Sequence, residues 1–176
     1  MSHPASETKW IIITGGPSCG KTSLLSYLNY LGFATVPESA RLWIELEMSR
    51  GLTLDTIRKN ELLFQEKVLK MKKDREENTP KDSVIFWDRG IHDSIAYGVD
   101  RNKVLSFCRH RYQKVFYLEP VGFVNDHVRV ENEKRCLELG EKVLQSYEED
   151  GYTVIRVPKM PIVERTQWIL DTAKNP

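Results

Sequence analysis

Cysteine is scarce and odd in number: Cys19, Cys108 and Cys136 lie far apart in 176 residues. That pattern argues against a disulfide framework, and no pair has zinc-finger spacing. An excess of charge of either sign is also missing, with 26 Lys and Arg against 25 Asp and Glu. Balance of this kind argues against a polyanion-binding surface, and therefore against a nucleic-acid partner. No apolar run is long enough to cross a membrane and no secretory leader is evident, so the thiols read as reduced and the expected compartment is the cytoplasm. Internal repeats and low-complexity linkers are absent too. The length suits one α/β domain, expected over residues 9–174 behind a flexible polar tail of residues 1–8.

One stretch stands out against this plain background. An Ile-rich apolar run, Trp10–Thr14, passes straight into Gly15-Gly-Pro-Ser-Cys-Gly-Lys-Thr22, and then into the amphipathic segment Leu24–Leu31. Gly15, Gly20, Lys21 and Thr22 fill GxxxxGK[ST]. The glycines let the backbone turn tightly and bring its N–H groups onto phosphate oxygens, and the helix starting near Lys21 adds its positive N-terminal end. Gly15, Gly16, Pro17, Ser18, Cys19, Gly20, Lys21, Thr22 and Ser23 thus form the cradle of a nucleoside triphosphate, ATP or GTP. Lys21 serves the β- and γ-phosphates, and the Thr22 hydroxyl serves Mg²⁺. The rival reading, a glycine turn that binds nothing, fits poorly with a strand before the loop and a helix after it. Cys19 is either a redox-sensitive thiol or a small residue tolerated in the loop.

Further on, short apolar strands alternate with helices. Strands are expected near 9–14, 33–37 (after Gly32 as a helix C-cap), 84–87, 115–118 and 153–157, and Leu54–Arg75 reads as one long helix with Ile57, Phe64, Val68 and Met71 on its core stripe. The alternation predicts a three-layer α/β/α fold around a five-stranded parallel sheet. Ligand chemistry in such a sheet belongs at the carboxyl ends of the strands. That rule selects the glycine loop, Glu38 after the second strand, Asp88 and Arg89 after the third, and the charge-rich segment after the fourth.

Val36-Pro-Glu-Ser-Ala-Arg41, Phe64-Gln65, Trp87-Asp-Arg-Gly-Ile-His-Asp-Ser-Ile-Ala-Tyr97 and Val115-Phe-Tyr-Leu-Glu-Pro120 follow the glycine loop in order. With them the chain resembles the P-loop kinases, and among these the NadR-type family of AAA-labelled ATPases, which has nicotinamide riboside kinase domains as enzymatic relatives. The likeness runs from Ile11 to about Arg165; deoxynucleoside kinases show a more distant version. It implies a nucleoside- or nucleotide-kinase type of fold, ATP (or GTP) with Mg²⁺, and phosphoryl transfer to a hydroxyl of a nucleoside-like small molecule. The alternative is a nucleotide-binding NTPase or switch that acts through a protein partner. Monomer and homodimer both stay open.

Roles follow residue by residue. The resemblance implies that Glu38 is the general base, against a bland pairing with Arg41 or a helix cap. Asp88 either holds Mg²⁺, the favoured reading, or is itself the base. Arg89 either touches acceptor or phosphate oxygens or forms a structural ion pair with Glu38 or Asp93. Asp93 either faces a polyol or caps the next helix. The deoxynucleoside kinase likeness makes Gln65 a reader of a base or amide, against an ordinary exposed Gln. His92 stands where the family has Pro and reads as a surface residue. A lid is implied over about 121–135, with Arg129, and less firmly Arg135, stabilising the moving phosphoryl group, against a solvated helix start.

Overall fold

The computed structural model describes residues 6–120 and 130–174. In chain order the elements are β1 (Ser6–Glu7), β2 (Trp10–Thr14), α1 (Lys21–Tyr30), β3 (Ala34–Val36), α2 (Ser39–Ser49), α3 (Leu54–Arg58), α4 (Glu61–Glu77), β4 (Ile85–Asp88), α5 (Asp93–Ala96), α6 (Arg101–Phe107), β5 (His110–Arg111), β6 (Lys114–Leu118), α7 (Val130–Glu148), β7 (Val154–Val157) and α8 (Ile162–Lys174). Five strands form one all-parallel sheet in the order β3-β4-β2-β6-β7. From the central β2 the chain passes to the edge strand β3, returns to β4 between the two, and then crosses to β6 and β7 on the other side, so the ends of β2 and β4 open onto the switch point where ligands bind.

Alternation along β2 divides the core. Ile11 and Ile13 pack with Leu24, Leu25 and Leu28 of α1, with Phe86, Phe116 and with Ile169 of α8. Trp10 and Ile12 point the other way, to Trp87, Val115 and to Val143 and Tyr147 of α7. All five residues of β2 are buried, as a strand covered on both faces requires. A smaller cluster of Leu69, Ile91, Val99 and Val104 sits under α4–α6.

Two expectations need correction. The 54–75 helix is broken: α3 ends at Arg58, and Asn60 starts α4 by accepting the Leu63 N–H at 3.0 Å. An Asn three residues before a free N–H competes for the backbone better inside a cap than inside a helix. The buried face of α4 then runs through Phe64, Gln65, Val68, Leu69, Lys72 and Glu76 rather than through Met71. In addition, Ser6–Thr8 is no free tail: Ser6 and Glu7 pair in parallel with His110 and Arg111, and Thr8 Oγ1 donates to Arg111 O at 3.1 Å. Among the described residues no helix is long and apolar enough to cross a membrane.

Candidate active site

Gly15–Gly20 joins β2 to α1 at the centre of the sheet. Gly15 has φ +143°, and a Cβ there would lie 2.8 Å from the carbonyl oxygen of Leu118, so only glycine lets the loop pass the end of β6. Gly20, φ +89°, turns the chain into α1. Lys21 is buried, and its Nζ donates to Gly16 O at 2.8 Å, Gly15 O at 3.2 Å and Cys19 Sγ at 3.2 Å. The ammonium is therefore folded onto the loop itself, where phosphate oxygens are the competing acceptors.

Beside the loop opens a cavity of about 650 Å³ whose wall includes Lys21, Glu38, Phe64, Gln65, Arg89 and Tyr97. Glu38 is half-buried and accepts from Arg89 Nε at 2.9 Å. It neither caps α2 through its side chain nor pairs with Arg41, whose partner is Glu45. Arg75 fixes this corner by donating to Pro37 O at 2.7 Å and Ser39 Oγ at 2.9 Å. The ion-pair reading of Arg89 holds, with both carboxylates at once. It pairs with Glu38 and with Asp93, donates to Gly15 O at 3.1 Å, and still lines the cavity with its guanidinium 5.2 Å above the Tyr97 ring.

Asp93 does not face a ligand. It is fully buried and accepts from Thr14 Oγ1 (2.7 Å), Arg89 Nη1 (3.0 Å), Gly90 N (3.1 Å) and Tyr147 Oη (2.5 Å). Burial alone would raise its pKa, but Arg89, Lys72 and these hydrogen bonds outweigh it and keep the carboxyl below its usual range. Gln65 is buried on the cavity wall, not exposed, and its Nε2 donates to Glu61 Oε1 at 2.9 Å. His92 is buried as well, against the surface reading: Nε2 shares a 2.7 Å bond with Asp150 Oδ2, and the ring packs among Tyr112, Tyr147 and Tyr152.

Asp88 ends β4 almost buried, and its Oδ1 has no hydrogen-bond partner. Burial first, then Glu38 and Asp93, push its carboxyl up to about 6 against the pull of Lys21 and Arg89. Thr22 lines the same 450 Å³ cavity as Asp88. An orphaned carboxylate oxygen next to a P-loop hydroxyl fits a hard, oxygen-seeking cation such as Mg²⁺, and these two residues are the ones that would hold it.

Arg129 lies outside the described residues. Arg135 is exposed on α7. Sequence reasoning missed Arg165, whose Nη1 donates to Cys19 O at 2.8 Å and whose Nη2 donates to Glu119 O at 2.7 Å and Val157 O at 3.2 Å, tying the P-loop to the ends of β6 and β7. The available signal was an arginine four residues before Ile169 on the buried face of α8.

This geometry agrees with the comparisons. A family model described as an AAA domain matches residues 10–165. The chain belongs to that family. No curated protein matches it significantly in sequence. Among solved structures it is similar to the NadR protein in complex with NAD and AMP-PNP (TM-score 0.65, 16% identity, 96% of this chain and 50% of that one). It is also similar to thymidylate kinase from Ehrlichia chaffeensis (0.64, 15%, 98% and 100%) and to deoxyadenosine kinase from M. mycoides with bound dATP (0.59, 15%, 94% and 99%). The chain spans about half the length of the NadR structures, 45% of the one solved in complex with NR. At these identities the likeness is one of fold, and the fold of this AAA-family chain is that of the P-loop kinases.

Proposed function

We propose that this AAA-family protein is a Mg²⁺-dependent phosphotransferase that moves the γ-phosphoryl group of ATP (or GTP) to a hydroxyl of a nucleoside-like small molecule. The observation that carries the reading is the 650 Å³ cavity running from the P-loop past Glu38 and Arg89. A switch that only binds and hydrolyses nucleotide needs no such room beside a strand-end carboxylate. The acceptor oxygen bonds to the γ-phosphorus, the bond from that phosphorus to the β,γ-bridging oxygen breaks, ADP leaves, and the hydroxyl proton passes to Glu38. Lys21 neutralises the β- and γ-phosphates, Arg89 stabilises charge at the transferring group, and Arg129 is proposed to do the same. Thr22 and Asp88 would hold Mg²⁺, which would supply neutralisation of the negative charge on the leaving diphosphate.

Glu38→Gln tests the assignment, since the amide keeps the shape and cannot take a proton. A thermal-shift screen of nucleotides, then of nucleosides and sugars with a nonhydrolysable analogue present, first identifies the acceptor. In the variant, product formation by mass spectrometry should fall by roughly two to four orders of magnitude, with nucleotide affinity by calorimetry unchanged. Transfer near the wild-type rate moves the base to Asp88. A screen that finds no acceptor moves the reading to the switch.

A further inference from the structure

The turn that carries Asp88 and Arg89 is held from behind by α7, and the same helix touches the P-loop. Arg89 adopts φ +66°, a left-handed conformation that a residue with a side chain keeps only when its surroundings impose it. Next to it, Gly90 donates its N–H to Tyr147 Oη at 3.0 Å, and Tyr147, fully buried, donates onward to Asp93 Oδ2 at 2.5 Å. A Cβ on Gly90 would lie 2.7 Å from that phenol oxygen. Just past the end of α7, Asp150 takes a second grip through His92.

Two helical turns before Tyr147, α7 meets the phosphate loop backbone to backbone. A Cβ on Gly16 would stand 2.9 Å from Cys136 O and 3.5 Å from Gly140 Cα, and one on Gly140 would stand 2.6 Å from Tyr117 Oη. Glycine on both sides allows that approach. Seven residues of helix, about 10.5 Å, therefore connect a contact on the P-loop to a contact on the Asp88–Asp93 turn, and both lie on one face of a single stiff element.

We propose that Tyr147 is a positioning residue for Asp88 and Arg89, and that α7 transmits nucleotide binding at Gly16 to their turn. The hydroxyl does two things at once: it accepts the N–H that follows Arg89 and completes the hydrogen bonds of Asp93, the carboxylate that holds the Arg89 guanidinium. Tyr112 offers a built-in reference. Its equally buried hydroxyl accepts the neighbouring Ile91 N–H at 2.9 Å and donates to Glu76 Oε1 at 2.5 Å, but it stands between β5 and β6 and not on α7.

The test uses the full chain as wild type, Tyr147→Phe and Tyr112→Phe, with hydrogen exchange read by mass spectrometry with and without AMP-PNP and Mg²⁺. In the wild type the nucleotide should slow exchange over both 15–23 and 88–93. Tyr147→Phe should raise exchange over 88–93 by about tenfold and abolish its response to nucleotide, while 15–23 still responds. Tyr112→Phe should keep the nucleotide response. ATP turnover by Tyr147→Phe should show kcat down by about tenfold at unchanged KM for ATP, the signature of a misplaced group acting in the transition state. Only this turnover arm rests on the phosphotransfer reading, so its failure alone counts against that reading, whereas the exchange arm judges the coupling. A wild-type nucleotide response over 88–93 in Tyr147→Phe, or the same loss of response in both tyrosine variants, overturns the proposal. Should Tyr147→Phe not fold, Asp150→Asn at its half-exposed position takes its place: a partial loss of response supports the coupling and a full response overturns it.

Discussion

The P-loop and the Asp88–Asp93 turn lie side by side at the ends of β2 and β4, yet they differ in where their closure starts. The P-loop is held first by its own lysine: Lys21 reaches Gly15, Gly16 and Cys19, all within six residues, and the distant Arg89 and Arg165 add bonds to Gly15 O and Cys19 O. The turn is held from far away in sequence, by Lys72, which donates to Gly90 O at 2.9 Å, by Thr14, Tyr112 and Tyr147. Local closure leaves a motif that can be read directly. Long-range closure leaves only single polar residues on faces that otherwise look like core.

The sharpest way to break the comparison is to remove the centre of the long-range side. Asp93→Ala strands Arg89 in a buried site with only Glu38 left as a carboxylate partner, and uncompensated buried charges of this kind cost about 3–5 kcal/mol. Chemical denaturation should show a loss of that size, and a loss below about 1 kcal/mol would mean that the turn is held by its backbone contacts instead. On the local side, Lys21→Ala should leave the fold intact. It should abolish the stabilisation by triphosphate, about 2.7 kcal/mol when ligand stands at one hundred times its Kd. Wild-type stabilisation by ATP in this variant would place the nucleotide elsewhere.

The same contrast explains what could be read from the chain. The five-stranded parallel sheet, the strand positions and the glycine loop were legible because β2, β4 and β6 are uninterrupted apolar runs and the P-loop is a contiguous motif. Glu38 and Asp88 were selected by the rule that strand ends carry chemistry, and both line cavities next to the loop. Asp93 and His92 were misjudged because their burial depends on α7 and on the turn after it, more than fifty residues away. Lys72, Glu76, Tyr147 and Arg165 were passed over, since a charged or phenolic side chain on a helix is ordinarily solvated. The spacing of Lys72 and Glu76, four and eight residues after Val68, was the one signal that they share its buried face.

The smallest expected effect tests whether a buried acid behind the turn carries charge. Glu76 is almost wholly buried, and burial pushes its carboxyl up to about 8, despite the Tyr112 hydrogen bond and the nearby Lys72 that work the other way. The sign follows from proton counting. Below about 4.5, the ordinary value, the acid is protonated in both folded and unfolded chains and its contribution is fully present. From there to about 8 only the unfolded chain ionises, so stability falls as pH rises, by up to about 1.4 kcal/mol per unit. Above that value both forms are ionised and the loss is complete. Glu76→Gln removes the titration while keeping an oxygen to accept from Tyr112. The difference in unfolding free energy, variant minus wild type, should therefore shift in favour of the variant by about 1 kcal/mol between pH 6 and pH 7. A difference that stays constant with pH would mean that Glu76 is already ionised at neutral pH and paired with Lys72, making the support behind Gly90 an ion pair.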